Sequence, residues 1–455
     1  MLAFLGFLTV IVMLALIMTK KASPLVALIA VPVVTGIISS FFRLTEVAEG
    51  EPTVVDVMQN IKNLGGYITG SSGIGSVAAT GVMFIFSILF FGILTDAGTF
   101  RPIINKVIGL VGTDPVKIAL GTAVLAAIVH LDGSGAVTFL ICVPALLPLY
   151  DAIGMRRGTL ATIVALSAGT MNILPWGGPT IRAATALGQE NATEFFMPVM
   201  PGFIAGMLCV FVIAFMLGKA EKSRLGTIQL EGGAKYVEPE LSDEEKALLR
   251  PNLFWVNILL IVLAIVALLK SGFAPAVVFM IFYVLATVIN YPNVKESKAR
   301  VDAHAKACLM MCSVLFAAGC FTGIMKGTGM ITAMAETLVA IIPASLGKFF
   351  PVIMGVISMP ASLLFDPDSF YYGVLPVLAQ TAEGLGVSAL SVGRAAILGQ
   401  MTTGFPVSPL TASTFLLIGL AGVDLGEHQK KTIPLAFLVT IVMLVVCLIT
   451  GGIEL

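Results

Sequence analysis

Most of the residues able to do chemistry fall in four short stretches. The first is HLDGSG, His130 to Gly135; the second is TMNILPWGGPTIRAAT, Thr170 to Thr185. The third is FDPDSF, Phe365 to Phe370, and the fourth is MTTGFPVSPLTAS, Met401 to Ser413. Each sits within an apolar run, where an ionisable group is expensive and usually functional. The carboxylates Asp132, Asp366 and Asp368 fit cation coordination, proton carriage or both, with N-capping of a half-helix as another use for Asp132 or Asp368. His130 can pass a proton near neutral pH, or serve as a buried hydrogen-bonded histidine. Arg182 can clamp a carboxylate bidentately, or sit at the outer headgroup level. Ser134, Thr170, Asn172, Thr180, Ser369, Thr402, Thr403, Ser408 and Thr411 offer uncharged hydrogen bonds to carboxylates and alcohols. Back-bonding to their own helix is the other use for the hydroxyls. Gly133, Gly135, Gly177 and Gly178 let a substrate approach the backbone. No HExxH or GxSxG motif accompanies these groups, which counts against a membrane-embedded enzyme.

The elements that must position these residues are apolar. The 455-residue chain is 58% hydrophobic and 11% charged, with a mean hydropathy of +1.02. This composition belongs to a polytopic membrane protein, with lipid as a main solvent. Zero net charge suggests no nucleic-acid partner. The six cysteines all lie in apolar runs and read as small hydrophobes, although Cys308 and Cys312, four apart on one helix face, have a spacing that could suit a metal. About 20 apolar residues cross a bilayer. Full spans are expected at 1–19, 24–42, 77–95, 159–187, 196–218, 252–270, 273–290, 307–326, 391–418 and 432–451. Segments 116–150 and 349–380 have polar, breaker-rich centres and read as re-entrant hairpins with tips at HLDGSG and FDPDSF. Spans 159–187 and 391–418 are interrupted by Pro175, Gly177, Gly178 and Pro179, and by Gly404, Pro406 and Pro409.

Charge sets the orientation. With the N-terminus outside, Lys and Arg concentrate in inner segments, above all 219–250 and 295–306. Outer segments keep Arg43, Lys62, Lys270, Lys326, Lys348 and Arg394. This bias requires both hairpins to leave by the side they enter. Asp96 and Lys326 end spans, and His304 and His428 fall in inner loops, where all four are expected to be solvated.

The two halves carry the same marks in the same order. KKASPLVAL from Lys20 parallels KSGFAPAVV from Lys270, and ILTDAGTF from Ile93 parallels GIMKGTGM from Gly323. LDGSG parallels FDPDS, VPALLPLYDAIGM from Val143 parallels LPVLAQTAEGLGV from Leu375, and GTMNILPWGGPT from Gly169 parallels GQMTTGFPVSPLT from Gly399. The expected fold is an all-α inverted repeat of five elements plus five, with two re-entrant hairpins and two broken helices. Secondary transporters built this way bind substrate near the midplane, where half-helix ends and unwound backbone line a cavity.

MLAFLGFLTVIVMLALIMTKKASPLVALIAVPVV at the N-terminus, the HLDGSGAVTFLICVPALLPLYDAIGMRR hairpin and NILPWGGPTIRAA resemble the bacterial citrate–metal–proton symporters (CitMHS) of the ion-transporter superfamily. The resemblance runs over essentially the whole chain. It implies an inner-membrane, multi-pass carrier that takes up citrate complexed with a divalent cation of the magnesium or calcium class, driven by protons. It also implies a homodimer with separate scaffold and transport domains and elevator-like motion. No fixed cofactor is expected; the metal travels with the substrate, or is met by Asp132, Asp366 and Asp368. Better-described superfamily members carry Ser-Asn-Thr triplets where this sequence has DGSG, TMN, DPDS and MTTG, a departure that counts against sodium coupling. A symporter for another organic anion, a dicarboxylate or gluconate, coupled to protons or sodium, is the alternative.

Free citrate carries about three negative charges at neutral pH, yet the tips are acidic and Arg182 is the nearby arginine. Chelation of a divalent cation would leave the substrate with about one negative charge, compatible with these carboxylates. Within this plan 1–76 forms scaffold, 77–218 the first part of the transport domain, and 219–250 an inner linker with a capped helix at LSDEEKALLR. Residues 251–306 return to scaffold and end in an inner surface helix, and 307–455 complete the transport domain. Segment 43–76 reads as an outer loop.

Overall fold

Several helices begin where the sequence supplies a side-chain cap, and proline takes the first helical position after the caps Ser23 and Asp114. The computed structural model describes residues 1–19, 21–44, 55–103, 106, 109, 112, 114–226, 242–270, 273–341 and 344–455, and every regular element among them is helical. The first half contains α1 (Leu2–Met18), α2 (Pro24–Ser39), α3 (Val57–Thr69), α4 (Ile74–Asp96), α5 (Pro115–Val129), α6 (Gly135–Ile153), α7 (Arg157–Met171), α8 (Gly178–Ala186), the short α9 (Ala192–Phe196) and α10 (Met200–Leu225). After α11 (Asp243–Leu248) come α12 (Phe254–Lys270), α13 (Pro275–Asn290), α14 (Val294–Gly327), α15 (Met330–Ile341), α16 (Phe350–Ala361), α17 (Leu375–Gly384), α18 (Ala389–Ile397), α19 (Ala412–Ala421) and α20 (Leu425–Ile449). Ser23 caps α2, Asp114 caps α5 and Ser134 caps α6. The hydrogen bond from Lys222 and the Val116 amide hold the Asp114 carboxyl below its usual range. The capping box expected at LSDEEKALLR is present, with Ser242 and Glu245 bonding each other's backbone across α11; the rest of the linker, 227–241, lies outside the described residues.

Packing partners recur with the halves exchanged. Helix α4 lies on α13, and α14 lies on α2; α5 lies on α7 and α10, and α16 lies on α18 and α20. Helices α4 and α14 pack on each other, as do α10 and α20. Outward faces are apolar: α13 exposes Val277, Met280, Ile281, Val284, Leu285 and Val288, and α10 exposes Ile204, Leu208, Val212, Phe215 and Met216. Six helical segments among the described residues are long and apolar enough to cross a membrane. Such stripes suit contact with acyl chains, which water would penalise.

Three expectations need correction. Helix α14 runs unbroken for 34 residues, so the inner surface helix and the following span are one rod, about 50 Å long. The run VKESKARVDAHAKACLMM contains no proline or glycine to stop it. The outer segment 43–76 is not all loop: Asp56 caps α3, whose buried Asn60 donates to the carbonyls of Ser40 and Arg43 at 3.3 and 2.8 Å. Residues 45–54 lie outside the described residues. A further helix, α15, fills the stretch after Gly329 and packs on α1 and α17.

Glycine sets the closest approach at the second break. A Cβ on Gly399 would stand 2.2 Å from the Met359 backbone nitrogen, whereas one on Gly419, inside α19, would meet nothing within 4 Å. Gly399→Ala therefore forces α16 away from the break, and should lower stability by about 1–3 kcal/mol. Gly419→Ala should leave stability unchanged or raise it by up to about 1 kcal/mol. Thermal unfolding of the two variants in detergent checks the contrast.

Candidate functional site

The two broken helices and the two hairpin tips converge, and their freed backbone groups are largely taken up by side chains. The first break runs between α7 and α8. There Gly177 lies so close to the Asn172 carbonyl that a Cβ would overlap it, at 1.9 Å. Thr180 donates to the Ile173 carbonyl, and the Trp176 indole donates to the Leu131 carbonyl at 2.9 Å. The second break runs between α18 and α19 and contains Gln400 at φ −64°, ψ 126° and Met401 at φ 54°. The Gln400 carbonyl accepts from the Tyr371 hydroxyl at 2.7 Å, and the Met401 amide donates to Ser362 Oγ at 3.1 Å. Thr414 donates to the Phe405 carbonyl at 2.7 Å, and Thr402 to that of Ile397.

His428 serves the same break from α20. It is buried, not solvated as its loop-like sequence setting suggested, and its Nε2 donates to the Pro406 carbonyl at 2.9 Å. Gln429 donates to the Val407 carbonyl at 2.9 Å. His304 also departs from expectation: on α14 it meets Asp96 at 2.9 Å, beside Arg300 at 3.1 Å, so Asp96 is held in a part-buried cluster at an end of α4.

Among the polar contacts between the halves, two lie at the breaks and tips. Asn172 Nδ2 donates to the Met401 carbonyl at 2.7 Å across 229 positions. Its Oδ1 stands 3.3 Å from His130 Nε2, and His130 Nδ1 stands 2.9 Å from Thr138 Oγ1. The His130 ring is fully buried and stacks at 25° on Phe405 of the opposite break. The Phe405 ring also covers Gly135, where a Cβ would come within 2.7 Å of it. The second link is an ion pair, Arg182 Nε to Asp368 Oδ1 at 2.7 Å. Arg182 is 7% exposed, well inside the protein.

The acidic tip divides its tasks. Asp366, not Asp368, is the cap: its Oδ1 accepts from the Asp368 and Ser369 amides, each at 3.1 Å, and its Oδ2 accepts from the Ser369 hydroxyl. The reason is Pro367, which starts the helix and makes the preceding residue the cap. At the other tip Ser134 caps α6, Asp132 ends a single 3-10 turn, and Gly133 follows at φ +75°. The Asp132 side chain lies outside the described residues. Several candidate hydroxyls are committed to the protein. Thr170 bonds back to Leu166 at 2.8 Å, Thr403 meets Thr440 at 2.6 Å, and Ser408 donates to the Ser362 carbonyl. Thr411 opens α19, and Gly178 opens α8 with Met401 packed 2.9 Å from where its Cβ would be.

Sequence reading passed over Ser362, Tyr371 and Gln400, and placed His428 in solvent. Gln400 sits inside the quoted GQMTTG mark, and an amide side chain in an apolar run beside a break was the available signal. Among the described residues no group of three or more His, Cys, Asp or Glu side chains is arranged to hold a metal ion.

The Asn172 link has a measurable weight. Asn172→Leu strands the Met401 carbonyl and His130 together, and should cost about 1–3 kcal/mol of stability. Thr170→Val, which removes only a bond within its own helix, should change stability by less than about 1 kcal/mol. Thermal unfolding of both purified variants measures the difference.

Comparison with known proteins places this geometry. The CitMHS family model, described as "Citrate transporter", matches residues 11–399. The chain is 44% identical over 451 residues to the "Citrate transporter" of Bacillus subtilis (strain 168), covering 99% of both. It is 42% identical over 454 residues to the "Mg(2+)/citrate complex secondary transporter" of the same organism, covering 100% of this chain and 99% of the relative. Two solved structures share the fold. The Alcanivorax borkumensis YdaH transporter aligns with a TM-score of 0.59 at 14% identity, over 98% of this chain and 97% of its own. Neisseria gonorrhoeae MtrF aligns with a TM-score of 0.60 at 13% identity, over 94% of each. A whole-chain match to transporters, on an all-helical scaffold with interrupted apolar helices, leaves one conclusion: the chain belongs to the CitMHS family of citrate transporters.

Proposed function

We propose that this citrate transporter takes up citrate as a complex with a divalent cation, in symport with protons, by alternating access. The observation that carries the reading is the buried Arg182–Asp368 pair, held where α8 of one half meets the acidic tip of the other. It sets a carboxylate receptor beside a cation receptor, the two demands of a metal–citrate complex. The relative named for the Mg(2+)/citrate complex supports the metal. His130 and Asp132 at one tip, with Asp366 and Asp368 at the other, are the proposed coupling groups. The tip and break residues whose polar groups are not committed to the protein, Arg182 foremost, are the proposed substrate contacts.

The matched packing of the halves supports an inverted repeat. In this reading 1–76 and 251–306 form the scaffold of a homodimer, and 77–218 with 307–455 form a transport domain that moves as an elevator; the unbroken rod of α14 crosses the 306/307 boundary and must move as one piece with one side or the other. The protein then resides in the inner membrane, with both hairpins re-entrant.

Uptake into proteoliposomes tests the proposal. Labelled citrate with magnesium or calcium should accumulate under an inward proton gradient, and emerge chemically unchanged. Dissipating the gradient should cut accumulation by about tenfold or more. Accumulation that ignores the gradient removes proton coupling, and no uptake with either metal refutes the substrate. Asp132→Asn should lower gradient-driven uptake; an undiminished rate removes Asp132 from coupling.

A further inference from the structure

Arg182 and Asp368 are 186 positions apart in sequence, and their side chains are 9% and 15% exposed. Besides Asp368, Arg182 reaches the Gly178 carbonyl through Nη1 at 3.4 Å. A guanidinium fork has further N–H donors to give. One helical turn beyond it, the Thr185 hydroxyl is buried with no hydrogen-bond partner. Spacing of three residues puts it on the same face of α8 as Arg182. Asp366 is different in kind from Asp368: both its oxygens are spent on capping. The tip carboxylate not spent on capping is Asp368, whose side-chain partner is Arg182.

A buried ion pair resists losing one member, because the other is left uncompensated away from water. Free citrate offers carboxylates to Arg182, but its own negative charge then faces a stranded Asp368. A bare divalent cation suits Asp368 and strands Arg182. A metal–citrate complex presents both an anionic edge and a cation with open positions for oxygen ligands. Resting on the substrate reading above, we infer that binding is a partner exchange: Arg182 releases Asp368 to take a citrate carboxylate, and Asp368 becomes an oxygen ligand of the metal ion carried by that citrate. The pair thus refuses citrate alone and metal alone, since either leaves a charge unpaired. Thr185 supplies an unspent donor beside the carboxylate.

Isothermal titration of the purified full-length protein in detergent tests the exchange. The probes are magnesium citrate, citrate with EDTA, and magnesium chloride alone. Wild-type protein should prefer the complex over either component by about 100-fold or more. In Asp368→Asn the complex should weaken while metal-free citrate gains, shrinking that preference to below about tenfold. A variant that keeps the wild-type preference overturns the exchange and leaves the substrate reading standing. Wild-type protein that binds free citrate as tightly as the complex overturns the substrate reading itself. Asp368→Glu gives a second readout independent of whether the Asn variant folds. Moving the ligand by one methylene should change the magnesium-to-calcium affinity ratio by about threefold or more, because magnesium demands stricter geometry. An unchanged ratio in that variant also overturns the exchange.

Discussion

A peptide group inside a bilayer has no water to bond, so a helix can open there only if the protein itself supplies the missing partners. That constraint shapes this molecule. Its second break survives because Tyr371, Ser362, Thr414, His428 and Gln429 each take a backbone group that the helix has dropped. At its first break Thr180 takes the Ile173 carbonyl, while the Asn172 side chain reaches across to the Met401 carbonyl of the second. The unusual backbone of Met401, at φ 54°, is held by bonds to both its amide and its carbonyl. A strained residue persists when its surroundings over-determine it, and such residues gather at functional sites. The polar groups of the breaks are therefore a scaffold first, and only what they leave uncommitted can serve a ligand.

By that measure Arg182 and Asp368 stand apart from the hydroxyls around them. Hydroxyls satisfy the backbone at short range, with little charge to rearrange. A charged pair at 2.7 Å holds two elements together strongly, yet each member has an obvious substitute in a substrate carrying both signs. The neighbouring Asp366 cannot play this part while it caps its helix.

The positions of the breaks and tips were legible in the sequence because proline and glycine disrupt helices by local sterics, wherever they fold. The capped helix after Ser242 was legible for the same reason: Ser and Glu three apart act on their own turn. What stayed hidden depended on partners distant in sequence. His428 follows an Asp-Leu-Gly-Glu stretch that reads as loop, and only the approach of Pro406 explains its burial. Gln400 looked like one more polar residue until Ser362 and Phe365 closed around it. The division between Asp366 and Asp368 was readable in principle from Pro367, whereas the pairing of Asp368 with Arg182 was not. Helix α14 escaped because its charged first half looks like a surface element, and nothing in the sequence marks a boundary that does not exist.

Trp176 has a consequence for how this carrier can be watched. Its indole bonds the first hairpin tip through Leu131, lies parallel to Phe91 of α4 at 6.3 Å, and meets Phe279 of α13 edge-on at 6.2 Å. The chain's other tryptophan, Trp255, is 77% exposed on the outer surface of α12. Displacing the tip relative to α13 parts the indole from Phe279 and alters the polarity around it. On the proposed division into scaffold and transport domain this native fluorophore lies at their seam, and replacing Trp255 by phenylalanine would let its emission be read without an attached dye.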